Sequence, residues 1–179
     1  SLQDMRADLE RLSAELPNPT SNVDLAALRD LPTVLRAEDW AITTVHVGGR
    51  LVRVEAGDTR AHTYGLALDL GTTSAAAYLL DLNSGHLLGA AVATNQQVAY
   101  GDDVIARIAR AHGGELDNLQ QAAAETLNAL VEELCRRSGT PRQHLYEATV
   151  VGNTCMLQLL LGIDPYPIGI APYIPAVVD

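Results

Sequence analysis

Residues 64–94 read YGLALDLGTTSAAAYLLDLNSGHLLGAAVAT. Three apolar runs, at 64–70, 74–82 and 86–94, are separated by GTT and by Asn83-Ser84-Gly85. The second separator is a strong hairpin signal, so the stretch predicts three strands linked by tight turns. The first run is apolar at nearly every position, which suits a central strand covered on both faces.

The first turn carries more than chain reversal requires. Gly71 permits close approach of the backbone, and Thr72 and Thr73 add two hydroxyls to the N–H groups that a tight turn can aim at a phosphate chain. Asp69, at the end of the strand, can orient the waters of a Mg²⁺ ion, which prefers few carboxylates and several waters. The stretch contains no cation, so a phosphate cradle here draws its positive charge from the metal. A threonine-rich hairpin turn is the plain alternative.

Working outward, residues 100–112 and 115–139 are amphipathic and predict two helices. Leu116, Leu119, Ala123, Leu127, Leu130, Val131 and Leu134 share one face of the second, which Gly139 ends. Residues 146–153, YEATVVGN, predict a short buried strand, and 153–162 a helix closed by Gly162. The Pro-rich tail from 165 predicts an extended segment. Upstream, Leu2, Met5, Leu9, Leu12 and Leu16 recur at helical spacing until Pro17. Asp24 opens a second helix with Leu25, Leu28 and Leu31, which Pro32 is expected to interrupt. Residues 40–47 and 50–56 then predict a hairpin through Gly48-Gly49. The organisation is a small α+β unit at 1–61 followed by an α/β unit at 62–179 of order β-β-β-α-α-β-α.

Composition narrows the partners. The 179 residues hold 22 acids and 12 basic residues, all Arg, for a net charge of −10. That balance argues against nucleic acid and against an anionic membrane surface. Phe is absent and only 4% of residues are aromatic, so the core must be aliphatic. Cys135 and Cys155 form no zinc or CxxC pattern, and no run is long enough to span a bilayer. A reduced, cytoplasmic protein is the expectation.

Further candidates come with competing roles. Asn95 and Gln96 follow a strand and either line a cleft or are loop polars. Asp102 and Asp103 open a helix, where capping competes with metal or partner contact. Gly152, Asn153 and Thr154 lie at a strand-to-helix junction that can meet an anion, with Asn153 an N-cap or the holder of an attacking water. Arg107 and Arg110 read as a solvated helix face, Cys155 and Met156 as core. His46, His62, His86, His112 and His144 read as exposed polars, and Trp40 as packing for the small unit.

Residues 67–85 resemble the first phosphate motif of the acetate and sugar kinase, heat-shock chaperone and actin superfamily. Residues 95–108 and 150–175 resemble the ATPase domain of the reductive activators of corrinoid proteins, and 8–59 their small middle domain. The resemblance implies a fragment: a middle domain plus the first ribonuclease-H-like half of an ATPase. The family commonly has Pro, Thr and His where this chain has Gln96, Cys155 and Gln158. On this resemblance the parent uses Mg-ATP and a 2Fe-2S cluster to return a corrinoid protein to its reduced state, and a homodimer is an allowed assembly. Asp69 would orient Mg²⁺ through water, Gly71, Thr72, Thr73, Gly152 and Thr154 would contact phosphate, and Asn153 would face the γ-phosphate. The cluster belongs to the full-length parent, and the fragment alone is expected to bind nucleotide weakly and not to turn it over. Half of a sugar- or acetate-kinase-like phosphotransferase, and a docking or dimerisation module without nucleotide, are the alternatives.

Overall fold

Gly48 and Gly49 both take positive φ, 56° and 79°, and so close a tight hairpin between β1 (Ile42–Val47) and β2 (Arg50–Ala56). A computed structural model describes residues 5–16, 22–37 and 40–176. The chain divides into two units, Ser1–His62 and Thr63–Asp179. In the first, α1 (Asp8–Glu15) and α2 (Leu25–Ala37) accompany the antiparallel pair β1–β2. Its core is aliphatic: Leu12, Ala27, Leu31, Leu35, Leu51 and Val54.

Two upstream expectations change. Pro32 does not interrupt the second helix but lies inside it. Leu31 and Leu35, one turn apart, are both buried, and Arg36 Nη1 donates to the Pro32 carbonyl at 2.6 Å. Burial of that stripe outweighs the missing backbone donor. The first helix begins only at Asp8, and Met5 is exposed; Leu2 lies outside the described residues. Trp40 is half-exposed at a positive φ of 71°, with the guanidiniums of Arg11 and Arg36 each 5.5 Å from its ring centre.

The second unit is α/β with a mixed sheet in the order β5-β4-β3-β6. Its strands are β3 (Tyr64–Leu70), β4 (Ser74–Asp81), β5 (Leu87–Thr94) and β6 (Leu145–Gly152). The first three are antiparallel neighbours, and β6 joins β3 in parallel, as a crossover through helices requires. That crossover holds a 3₁₀ turn (Gln96–Tyr100), α3 (Val104–Arg110), a π-type turn at Ala111–Glu115 and α4 (Leu116–Ser138). After β6 come α5 (Thr154–Leu160) and α6 (Tyr166–Gly169), the latter a helical turn where an extended tail was expected.

Leu68 and Leu70 of β3, Ala75, Ala77 and Leu79 of β4, and Leu119, Leu130 and Leu134 of α4 form one buried core. Strand β3 alternates, however, rather than burying both faces: Leu68 and Leu70 are buried while Ala67 and Asp69 are exposed. Tyr78, Val92 and Val151 are exposed as well, and the pairing register puts them on the same side as Ala67 and Asp69. Among the described residues, one face of the sheet is therefore packed and the other carries exposed side chains. The short side chain of Ala67 and the carboxylate of Asp69 mark the bare side in the sequence.

Candidate functional site

Parallel pairing sets the site. Leu70 of β3 stands opposite Gly152 of β6, so the turn after each strand emerges side by side at one end of the sheet. Neither glycine has room for a side chain: a Cβ on Gly71 would come within 2.6 Å of the Ser74 carbonyl, and one on Gly152 within 2.8 Å of the Leu70 carbonyl. Asn153 then does two things. Its Oδ1 accepts from the Met156 N–H at 3.0 Å, capping α5, and its Nδ2 donates to Thr72 Oγ1 at 3.2 Å. Two stretches 81 residues apart in sequence are joined through this one side chain.

The turn at 71–73 is held from behind by its carbonyls. Asn95 Nδ2 donates to Gly71 O at 2.8 Å, Arg107 Nη2 to Thr72 O at 2.6 Å, and the Asn95 N–H to Thr73 O at 2.9 Å. In a trans peptide the carbonyl and the following N–H point in opposite directions. Tying these carbonyls inward therefore turns the amides of Thr72 and Thr73 outward. Among the described residues neither amide donates a hydrogen bond. Thr73, Asn153 and Thr154 are exposed.

Behind the turn lies a polar knot of Asn95, Gln97 and Arg107, all at 0% exposure. Asn95 caps the 3₁₀ turn by accepting from the Gln97 N–H at 3.0 Å. Gln97 Oε1 accepts from Asn95 Nδ2 at 3.1 Å and from Arg107 Nη1 at 3.3 Å, while its Nε2 donates to Leu119 O at 2.8 Å. Arg107 completes its set with Nε to Gly101 O at 2.9 Å and Nη1 to Met156 Sδ at 3.2 Å. Among the described residues it has no carboxylate partner in an ion pair. Burial pulls its pKa below the ordinary arginine value, opposed by the nearby Cys155, Asp102 and Asp103. The same burial pushes the Cys155 thiol up to about 11. An arginine remains charged despite such a shift.

This revises the reading of Arg107, which is no solvated helix residue. Arg110, three positions on, does face solvent and pairs with Glu115 at 2.6 Å. It also revises the picture of a cradle without a cation, since a guanidinium lies directly behind the turn. Asn95 is a buried strut and not a cleft-lining polar. Gln96 is exposed, its N–H donating to Thr126 Oγ1 at 3.0 Å, and its side chain borders a hollow shared with Asn118, Gln121 and Glu125 of α4. Asp103 caps α3 by accepting from the Ala106 N–H at 2.7 Å, and Asp102 is exposed. His144 is buried, its Nδ1 3.0 Å from the Tyr146 hydroxyl, where exposure was expected.

Asp69, Gly71, Thr72, Thr73, Gly152, Asn153 and Thr154 thus share one end of the sheet. Asp69 is exposed on the bare face, flanked in register by Ala76 and Val151, and its carboxylate has no hydrogen bond or ion pair among the described residues. One free carboxylate beside two outward amides and the exposed Thr73 fits a hydrated Mg²⁺ and its phosphates. No group of three or more His, Cys, Asp or Glu residues gathers to hold a metal among the described residues. The chain's two cysteines are both free, so its own residues do not fit an iron–sulfur cluster, which takes four thiolates.

No described helix is long and apolar enough to cross a membrane. The family model for the RACo middle region matches residues 64–179, and that for the RACo linker region matches residues 1–61. The corrinoid activation enzyme RamQ of Eubacterium limosum is 31% identical over 171 residues, covering 93% of this chain and 29% of that protein. A solved structure of a reductive activator for corrinoid, iron–sulfur protein superposes with a TM-score of 0.79 at 36% identity, covering 98% of this chain and 30% of that one. The chain therefore spans less than a third of these relatives and belongs to the RACo family, the reductive activators of corrinoid proteins, of which it carries the linker and middle regions.

Proposed function

We propose that this chain is part of an ATP-dependent activator that returns a corrinoid protein to its reduced state, and that the turn at 71–73 is where it meets the nucleotide's phosphates. The observation that carries the reading is the orientation of that turn: three carbonyls are tied inward, and the amides of Thr72 and Thr73 are left to face outward. Asp69 would hold the waters of Mg²⁺, and Thr72 and Thr73 would bind phosphate oxygens through their N–H and hydroxyl groups. Asn153, fixed by its cap and by Thr72, would position its amide at the terminal phosphate. Bound nucleotide supplies the free energy of phosphate transfer to water. The residues themselves bind, orient and screen charge.

The partner is a corrinoid protein of a methyl-transfer system. Electrons would enter from an iron–sulfur domain of the parent; the two free cysteines of this chain do not make up a cluster's four thiolates. The test uses the full-length parent with a corrinoid protein and an electron donor, following cobalt reduction by visible absorption. Reduction should require Mg-ATP, and Asp69→Ala should abolish the Mg-ATP-dependent reduction while leaving the corrinoid protein bound. Reduction that proceeds equally without nucleotide would overturn the reading. Transfer of the γ-phosphate to a small organic acid or sugar would replace it with the kinase alternative.

A further inference from the structure

We propose that Arg107 is a positioning residue for phosphate recognition: its buried guanidinium holds the 71–73 turn in its anion-facing orientation and lends that turn a fixed positive charge. The inference rests on the phosphate reading of the turn and adds to it a residue outside the turn itself. Three observations carry it.

The first is enclosure without neutralisation. Arginine is among the residues least often fully buried, and when buried it is ordinarily paired with a carboxylate. Arg107 is at 0% exposure, and its partners are two carbonyls, one amide oxygen and one thioether. The full charge therefore stays in the protein interior with no ion-pair partner among the described residues. Its nearest acids in effect, Asp102 and Asp103, are both exposed. An interior of low effective dielectric screens such a charge far less than water does.

The second is aim. The shortest of the four bonds, 2.6 Å, goes to Thr72 O, in the middle of the turn. Because a peptide is a dipole, a cation on the carbonyl side draws electron density inward and makes the N–H at the other end, that of Thr73, a better donor. The guanidinium thus acts on an anion through the peptide bond, without touching it. The third is fixity. Gly101 O and Gln97 Oε1 hold the other arms of the fork, and Gln97 is itself anchored to Leu119 O of α4, so the guanidinium is held against both the 3₁₀ turn and the long helix. A lysine has no such planar fork to offer.

A charge of this kind should be felt in proportion to the charge of the ligand. The experiment measures binding of Mg-ATP, Mg-ADP and AMP to the full-length parent by calorimetry, for wild type, Arg107→Met and Gln97→Glu. Arg107→Met should lose about tenfold or more in affinity for Mg-ATP, less for Mg-ADP and least for AMP. Gln97→Glu keeps the guanidinium but pairs it with a carboxylate, and should produce the same graded loss at reduced size. Thermal melting without ligand shows whether each variant is folded; if Arg107→Met is not, Gln97→Glu decides.

Equal losses for all three ligands, or an unchanged Mg-ATP affinity in the folded variants, would overturn the proposal while leaving the phosphate reading intact. Failure of the wild-type parent to bind Mg-ATP at all would overturn both.

Discussion

Gln97 and Gln158 are both enclosed, at 0% and 4% exposure, yet they live in opposite circumstances. Every polar atom of the Gln97 amide is used: its oxygen accepts from Asn95 and Arg107, and its nitrogen donates to Leu119 O. Gln158, in the middle of α5, has neither its Nε2 nor its Oε1 bonded to any partner. Burial without a partner costs about 1–3 kcal/mol per group, whereas a satisfied network stiffens what it touches. The difference teaches where this unit keeps its specificity. Polar atoms are tolerated behind the turn because they orient it, and at Gln158 they orient nothing among the described residues.

That contrast can be broken most sharply at Gln97. Gln97→Leu leaves Arg107 Nη1, Asn95 Nδ2 and Leu119 O short of a partner in the interior. Urea unfolding should show a loss of at least about 2 kcal/mol. Gln158→Leu, by the same logic, removes two orphaned atoms and replaces them with hydrocarbon. It should leave the unfolding midpoint within about 1 kcal/mol of wild type or raise it. If the two substitutions cost the same, the contrast is void.

The smallest expected effect is chemical. Cys155 lies beside Arg107, and burial outweighs the attraction of that cation, leaving its pKa at about 11. At pH 8 the folded protein should react with a thiol reagent at Cys135, which is half-buried, well before Cys155. The folded state holds the Cys155 proton more tightly than the unfolded chain, whose thiol has its ordinary value of 9.0. Stability is therefore unaffected below that value and declines as pH rises from about 9 towards about 11. Rapid labelling of Cys155 at pH 8 without denaturant would mean that the knot opens readily.

Much of the second unit was legible. The alternation of three apolar runs with two turns, the single apolar face of α4, and the order of elements all read directly from residue type and spacing, because each is a local consequence of burial on one side. The small unit was less so: Pro32 inside α2 is a case where packing of Leu31 and Leu35 overrules a strong local preference. What spacing could not supply is the direction in which a long polar side chain turns. Arg107 and Arg110 lie on the same short helix, and one is fully enclosed while the other pairs with Glu115 in solvent. No local signal separated the two, since Asp103 stands one turn before Arg107 where a surface ion pair would be expected, yet its carboxylate caps α3 instead. The candidate residues were visible singly, and their meeting depended on the parallel register of β3 and β6, which joins positions far apart in the chain.

The uncovered side of the sheet has a colloidal consequence. Tyr78, Val92 and Val151 present hydrocarbon to water at 42%, 72% and 55% exposure, on a chain whose net charge is −10. Near neutral pH, like net charge opposes the approach of such surfaces. Acidification protonates carboxylates and added salt shortens the range of the repulsion, while the attraction between oily patches persists. Handling conditions alone can therefore decide whether separate copies of this polypeptide stick together.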